Sequence, residues 1–240
     1  MHSPFVFDLI IHVLNDHQKE PCFEEIETIR QSLKKNHDEI EVEDFGAGSA
    51  VIKSNKRKIS KIANSSLKSP KYAQLLHRLV KYFRPKNIVE LGTSFGITSA
   101  YLAKGNSDAQ LYTFEGASSI SKIAENNFKK LGINNIELIN GDFGKTLPPF
   151  LEKNMPIDFA FIDGNHREKP TLAYFHELLT IANDQTIFVF DDIHWSTEME
   201  QAWSAIQNHP TVTLSIDLFF IGIVIISKDF KEKQHFKIQF

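Results

Sequence analysis

The sequence of 240 residues has little of several features that would each indicate a class of protein. Its single cysteine, Cys22, excludes an intrachain disulfide and a cysteine-rich zinc site, and we expect a small buried apolar side chain there. The longest apolar run, residues 218–226, is far shorter than the roughly 20 residues of a membrane-spanning helix. No basic region precedes the first apolar stretch, so we expect no signal peptide, no membrane partner and a cytoplasmic location.

An excess of positive charge is also lacking. The chain has 27 Lys and Arg against 30 Asp and Glu, which gives a net charge of −3. This is the wrong sign for a protein that binds nucleic acid by neutralising phosphates, so nucleic acid is not an expected partner. The apolar share of 42% and the charged share of 24% are typical of a globular chain with one large core.

The pattern of the chain changes near residue 69, which suggests a division into segments 1–68 and 69–240. Two helices are predicted before it from apolar residues at helical spacing. They are Phe5, Leu9, Ile10 and Val13 in the first and Phe23, Ile26, Ile29 and Leu33 in the second. Residues 36–60 are polar and are predicted to be an irregular loop. Ser69 and Pro70 then predict the start of a helix, as a capping hydroxyl followed by a proline at the first helical position.

Strands and helices alternate after residue 69. Buried strands are predicted at residues 87–91, 110–114, 135–139, 157–162 and 186–190, with helices after the first, second and fourth of them. The last helix is predicted to start at Ser196, with Thr197 and Glu200 as a capping box. Two strands at 211–216 and 219–226 follow with no helix between them, so they should be antiparallel neighbours. The predicted fold is α/β: a doubly wound, mostly parallel, seven-stranded sheet with a terminal antiparallel hairpin and N-terminal helices.

Polar residues follow every parallel strand, at the edge where such sheets bind ligands. In chain order they are Glu90-Leu91-Gly92-Thr93-Ser94-Phe95-Gly96, Glu115, Gly141-Asp142-Phe143, Asp163-Gly164-Asn165-His166 and Asp191-Asp192. Glycines at the first turn would let the backbone approach a ligand, and Glu115 is placed to accept hydrogen bonds from a ribose diol. Neither the dinucleotide fingerprint G-x-G-x-x-G nor a Walker-type phosphate loop is present.

This series of motifs resembles the class I S-adenosylmethionine-dependent methyltransferases, with a Rossmann-like fold. It is most similar to the small-molecule O-methyltransferases of the catechol and caffeoyl-CoA type and their bacterial relatives, over about residues 70–227. The resemblance implies methyl transfer from S-adenosylmethionine to a small-molecule acceptor, at a hydroxyl oxygen. It implies that the cofactor is bound by Glu90, Gly92, Thr93, Ser94, Gly96, Glu115, Asp142, Phe143 and Asp163. A homodimer stays open as the assembly.

The resemblance also implies a divalent cation beside the acceptor. Asp163, Asp191 and Asp192 stand at the positions of its ligands, the last as Asp where the family has Asn, and oxygen ligands suit Mg²⁺ or a similar ion. The alternative is that Asp191 and Asp192 only end a strand and cap a helix. His166 stands where the family has a lysine base; neutral imidazole suits a base near pH 7, so Asp163 and His166 are the predicted catalytic pair.

A second glycine-rich segment, residues 44–49, looks like a cofactor loop, but the acidic, alternating residues before it do not predict a buried parallel strand. We predict instead that residues 44–60 form a lid or an acceptor-facing loop, with Arg57 and Lys58 available to an anionic substrate. A solvated linker with a run of charge is the alternative. Two other functions also stay open: a nicotinamide-dependent oxidoreductase on a similar sheet, and a protein that binds the cofactor without catalysis.

Overall fold

The computed structural model describes residues 3–44, 53–153 and 155–240. The helices are α1 (Pro4–Leu9, continued by a π-helical turn Ile10–Leu14), α2 (Pro21–Lys35), α3 (Ile59–Ser66), α4 (Pro70–Phe83), α5 (Ile97–Gly105), α6 (Ser118–Lys130), α7 (Phe143–Leu151), α8 (Glu168–Leu179) and α9 (Thr197–Asn208). The strands are β1 (Glu39–Asp44), β2 (Lys53–Lys58), β3 (Asn87–Leu91), β4 (Gln110–Glu115), β5 (Ile136–Asn140), β6 (Ile157–Ile162), β7 (Ala182–Asp191), β8 (Leu214–Asp217), β9 (Ile221–Ile225) and β10 (Gln234–Lys237). Over these residues, every helix is too short or too polar to cross a lipid bilayer.

The central sheet has the strand order β10-β8-β9-β7-β6-β3-β4-β5. Strands β3 to β7 are parallel, while β9 runs antiparallel between β7 and β8. The predicted fold class and the terminal hairpin are therefore confirmed. The chain builds outward from β3 through β4 to β5 and then returns to the other side of β3 as β6, so the order reverses between β3 and β6. Strand β10, which pairs in parallel with β8 at the edge, is an eighth strand that was not predicted.

Helices cover both faces of the sheet because alternate strand residues point to opposite sides. Ile88 of β3 joins an apolar cluster with α4 and α5, while Val89 joins a second cluster with α7, α8 and α9. The N-terminal segment adds to the first cluster, where Leu9 and Ile26 are fully buried. The boundary at residue 69 stays a prediction.

Three local predictions were wrong. Part of the segment 36–60 is a regular antiparallel hairpin of β1 and β2. In β1 the apolar Ile40 and Val42 alternate with acidic residues, as suits a strand with one face in solvent, whereas β2 is wholly polar. The cap of α9 is the Ser196 side chain, which accepts a hydrogen bond from the Met199 backbone N–H at 3.3 Å, and Thr197 is the first helical residue. Helix α7 was missed because Pro148 and Pro149, inside its last turns, ordinarily indicate the end of a helix.

Candidate active site

The carboxyl ends of β3 and β6 meet at the reversal of strand order. The Asp163 backbone N–H donates to the Leu91 carbonyl at 2.9 Å. Gly92 has a φ of +108°, and a Cβ atom there would lie 2.3 Å from the Asp163 carbonyl oxygen. The sequence predicted that a glycine here would let the backbone approach a ligand. In the structure, the group that comes close to Gly92 is the end of the neighbouring strand β6, at Asp163. Gly96 likewise lets α5 pack against the Phe128 ring, which would lie 2.4 Å from an added Cβ.

A cavity of about 720 Å³ opens at this edge of the sheet. Seven of the residues predicted from the sequence line it together: Gly92, Ser94, Glu115, Asp163, His166, Asp191 and Asp192. Residues from outside the parallel strands complete the wall, among them Arg57, Lys68, Tyr72, Trp195 and Phe220. The cavity thus has an acidic floor formed by strand ends and a partly aromatic rim.

Glu115 ends β4 with its carboxylate fixed by the backbone. The N–H groups of Ser94 and Ala117 donate to its two oxygens at 2.8 and 3.0 Å. Burial raises the pKa of the Glu115 carboxyl above its usual value, and these backbone hydrogen bonds act in the opposite direction. A carboxylate held in this way at the cavity wall has lone pairs left for a diol, so the residues present fit the ribose of an adenosyl cofactor.

The other five residues predicted for the cofactor do not line this cavity: Gly96, described above, and Glu90, Thr93, Asp142 and Phe143. Glu90 is fully buried and accepts hydrogen bonds from the hydroxyls of Ser99 and Thr113, while its Oε1 has no partner among the described residues. Burial raises the pKa of Glu90 to about 7. Thr93 is also buried, with its hydroxyl 2.6 Å from that of Thr113.

Asp142 and Phe143 lie just beyond β5, next to the strand that ends in Glu115. The Asp142 side chain caps α7, accepting from the Gly144 N–H at 2.8 Å. The Phe143 ring lies against Gly164, where an added Cβ would be 2.9 Å from its edge. Phe143 is therefore adjacent to the Asp163 turn, and its contact with a purine stays a prediction.

The acidic residues of β6 and β7 converge with one histidine. Ligand atoms of Asp163, His166 and Asp191 all lie within 4.8 Å of one another. The His166 Nε2 is 3.5 Å from Asp163 Oδ1, and its Nδ1 is 3.9 Å from Asp192 Oδ2. Burial and the neighbouring Asp191 raise the pKa of Asp163 well above its usual value, and the same two causes raise the pKa of Asp192. These four side chains, which the sequence has at three separate positions after strands, therefore lie close together.

Lys68 is the residue of this cluster that the sequence analysis missed. It lies in the short connection between α3 and α4, and its ammonium donates a hydrogen bond to Asp191 Oδ2 and lies 4.0 Å from Asp192 Oδ1. Burial alone would lower its pKa, but the carboxylates of Asp163 and Asp191 outweigh burial and raise it. No strand-end motif includes Lys68; the only sequence signal is its place just before the predicted helix start at Ser69.

The cluster thus has ligand atoms of the kind that bind a divalent cation, but a positive charge, the Lys68 ammonium, is already present there. Asp163, Asp191 and His166 are close enough to share an ion, and Asp191 Oδ1 has no partner among the described residues. The second oxygen of Asp191 is held by the Lys68 ammonium, which carries the charge that a cation would supply. Because of this contact the cluster as built does not fit a metal ion.

The predicted lid is described only in part, because residues 45–52, which include most of the second glycine-rich segment, lie outside the described residues. The β1–β2 hairpin contacts α6, where the Ser119 hydroxyl donates to the Glu41 carbonyl at 2.5 Å. Arg57 lines the cavity, whereas Lys58 lines a smaller, neighbouring cleft with Lys56 and Lys61. A role of Arg57 and Lys58 in binding an anionic substrate stays a prediction.

Comparisons with known proteins find similarity to methyltransferases. Residues 89–193 match the methyltransferase domain family. A catechol O-methyltransferase of Niastella koreensis is 27% identical over 128 residues, which cover 52% of this chain and 57% of that relative. The match thus spans little more than half of the relative's length.

Solved structures share the fold over nearly the whole chain. The O-methyltransferase of Bacillus cereus, in complex with SAH, has a TM-score of 0.62 at 21% identity and covers 92% of this chain and 97% of its own. The O-methyltransferase TomG of Streptomyces achromogenes, involved in tomaymycin synthesis and in complex with SAM, has a TM-score of 0.63 at 16% identity, with coverage of 92% and 96%. The predicted resemblance to the Rossmann-like methyltransferases is confirmed.

Proposed function

We propose, from the methyltransferase fold and the domain match over residues 89–193, that this protein transfers a methyl group from S-adenosylmethionine to a hydroxyl oxygen of a small molecule. The observation that carries the proposal is the cavity in which Glu115, Asp163 and Gly92 meet. The domain match favours this function over a nicotinamide-dependent oxidoreductase, whose glycine fingerprint the chain lacks.

The cofactor half of the cavity lies along β3 and β4. Glu115 would accept hydrogen bonds from the ribose hydroxyls, because backbone donors hold its carboxylate in place at the cavity wall. Asp163, at the adjoining strand end, would lie on the side of the positive sulfonium group and favour its binding electrostatically. When bound, S-adenosylmethionine supplies a methyl group already activated by its positive sulfur.

The acceptor half lies between the strand ends, the first turn of α4 and the residues that precede α9 and β9. Tyr72, Trp195 and Phe220 offer apolar faces there, and Trp195 and Phe220 are exposed at 72% and 47% in the free protein. Large exposed aromatic side chains at a cavity rim suit a flat, apolar acceptor that covers them on binding. The proposed acceptor is therefore a hydroxyl-bearing ring compound.

The protein must then align the acceptor oxygen with the methyl carbon and accept one proton. Orientation in a closed site is the largest available contribution to methyl transfer, since the methyl donor needs no further activation. His166 is placed to accept the proton of the acceptor hydroxyl, with Asp163 and Asp192 facing its two ring nitrogens. Its side chain is 35% exposed, so the proton can pass on to solvent.

Calorimetric titration with S-adenosylhomocysteine tests the cofactor half of this proposal. We expect binding by the wild type and a loss of about tenfold or more in affinity for Glu115→Gln, since one charge-assisted hydrogen bond is worth roughly 1.5–3 kcal/mol. Glu137→Gln, a change on the neighbouring β5 outside the cavity, is the matched control and should bind as the wild type does. Absence of binding to the wild type would contradict the proposal.

Turnover tests the acceptor half. The assay measures methyl transfer from labelled S-adenosylmethionine to a panel of ring compounds with one or two hydroxyls, and to matched compounds in which the hydroxyl is absent. We expect product only with the hydroxyl compounds. Tight cofactor binding without product across the panel would instead favour a protein that binds the cofactor without catalysis.

A further inference from the structure

Lys68 is held in place from both of its ends. Its backbone carbonyl accepts a hydrogen bond from Arg30, which is 1% exposed and is itself paired with Glu27 at 2.8 Å. Glu27 also accepts a hydrogen bond from the Tyr101 hydroxyl at 2.9 Å. The other end, the ammonium, is bound to Asp191, and only 12% of the Lys68 side chain is exposed. A lysine fixed by a buried guanidinium network is part of the site architecture and not a solvated surface charge.

The Lys68 ammonium lies beside Asp191 and Asp192, where the sequence predicted a divalent cation. Asp191 is 1% exposed and Asp192 is 24% exposed, so two carboxylates with little access to water face a single positive group. A buried charge without a partner is strongly destabilising, and Lys68 supplies that partner. Lys68 also lines the cavity together with Tyr72 and His166, and its ammonium has three N–H donors, of which the contact with Asp191 uses one.

We propose that the Lys68 ammonium is the built-in cation of this site: it neutralises Asp191 and Asp192 and donates a hydrogen bond to the acceptor oxygen, in place of a divalent metal ion. The inference rests on the proposed function. In the reaction the acceptor oxygen forms a bond to the methyl carbon as the bond from carbon to sulfur breaks, and the hydroxyl proton passes to His166. Lys68 keeps its own protons throughout and stabilises the negative charge that the oxygen gains as its proton leaves for His166.

Metal binding gives a test that does not need turnover. The free Mn²⁺ signal in electron paramagnetic resonance is measured for the wild type, Lys68→Met and Lys68→Met/Asp191→Asn. We expect no stoichiometric binding by the wild type, one site in Lys68→Met, where the carboxylates are released, and loss of that site in the double variant. A tight Mn²⁺ site in the wild type would overturn the proposal.

Activity gives the second test. Wild-type turnover should be unchanged by a chelator. Lys68→Met should lose about 100-fold in kcat, the usual effect of removing one hydrogen-bond donor from a developing oxyanion. Lys68→Arg, which keeps the charge, should recover part of this loss, and Lys122→Met, on the exposed side of α6, should behave as the wild type. Chelator-sensitive wild-type turnover, or full activity of Lys68→Met without metal, would overturn the proposal.

Titration with S-adenosylhomocysteine separates this inference from the proposed function. If the wild type binds S-adenosylhomocysteine and turns over, but Lys68→Met does so equally well, only the role of Lys68 fails. If the wild type does not bind S-adenosylhomocysteine, the proposed function fails, and the Mn²⁺ titrations still decide whether Lys68 excludes a metal. Should Lys68→Met not fold, Lys68→Arg and the wild-type metal titration carry the test.

Discussion

The two ends of the central sheet both have clefts with acidic residues, but the acids are held differently. At the amino ends a cleft of about 1050 Å³ is lined by Phe5, Phe83 and Asp158, and it is larger than the cavity at the carboxyl ends. Asp158 is satisfied there by the backbone N–H groups of Lys86 and Asn87 at 2.8 and 3.0 Å and by the Asn183 amide at 2.8 Å. The Asp158 carboxylate on β6 is thus hydrogen-bonded both to the start of β3 and to β7.

The carboxyl ends show the opposite condition. Asp191 is almost fully buried with an oxygen that lacks a partner among the described residues, and Asp163 is crowded by like charge. Non-glycine residues in the left-handed region also gather there, namely Ser94 (φ +49°), Asn165 (+69°), His166 (+22°) and Asp192 (+52°). A buried carboxylate oxygen without a partner, like charges held close together and a strained backbone are features that folding alone does not favour, so this smaller cavity is the better candidate for function.

The sharpest test of this comparison truncates one aspartate at each end. Asp163→Ala should lower turnover by about 100- to 1000-fold, because the site loses an electrostatic group beside the reacting atoms. Its free energy of unfolding should not fall, since the change relieves repulsion from Asp191. Asp158→Ala should leave turnover unchanged but cost about 1–3 kcal/mol of stability, because its backbone donors lose their acceptor. Turnover with labelled cofactor and urea unfolding measure both quantities; equal activity losses in the two variants would remove the distinction between the ends.

Glu90 gives a pH-dependent effect within the carboxyl-end region. In the folded protein the pKa of Glu90 is about 7, whereas its ordinary value is 4.5, so the Glu90 carboxyl keeps its proton to a higher pH than in the unfolded chain. The folded state therefore binds more protons between these values, and stability falls as pH rises from 4.5 through 7, by roughly 3 kcal/mol in total. Glu90→Gln, which keeps an acceptor for Ser99 and Thr113, should lack this part of the slope.

Urea unfolding followed by the fluorescence of the buried Trp203 measures this slope at steps of pH from 4.5 to 8. The quantity to compare is the difference between wild type and Glu90→Gln, because raised pKa values of Glu115 and Asp163 contribute slopes of the same sign in both proteins. A difference that stays constant with pH would show that Glu90 is already ionised in the folded protein.

The sequence predicted the regions of this fold to unequal extents, for physical reasons. The parallel strands were placed within a few residues because continuous apolar runs and strand-end polar residues mark them independently. The strand-end acids were predicted to meet for the same reason, since parallel carboxyl ends share one edge. Lys68 could not be predicted in the same way, because its contact with Asp191 spans 123 residues and depends on how α3 and α4 are connected. The β1–β2 hairpin was not predicted because its charged strands resemble a loop in composition.

The smallest effect concerns the backbone at the two ends. Arg84 ends α4 in the left-handed region at φ +50°, on the amino-end side of β3, and Ser94 has a similar φ of +49° beside the cavity. Glycine adopts this conformation without the steric cost of a Cβ, so Arg84→Gly should stabilise the protein by up to about 1 kcal/mol in urea unfolding and leave turnover unchanged. Ser94→Gly should relieve the same strain but loosen the backbone N–H that holds Glu115 at 2.8 Å, and so weaken S-adenosylhomocysteine binding. If the carboxyl end is the functional site, removing strain at Arg84 should change only stability, whereas removing it at Ser94 should also weaken binding of S-adenosylhomocysteine. If Ser94→Gly bound the cofactor product as tightly as Arg84→Gly does, the strained turn would have no part in binding.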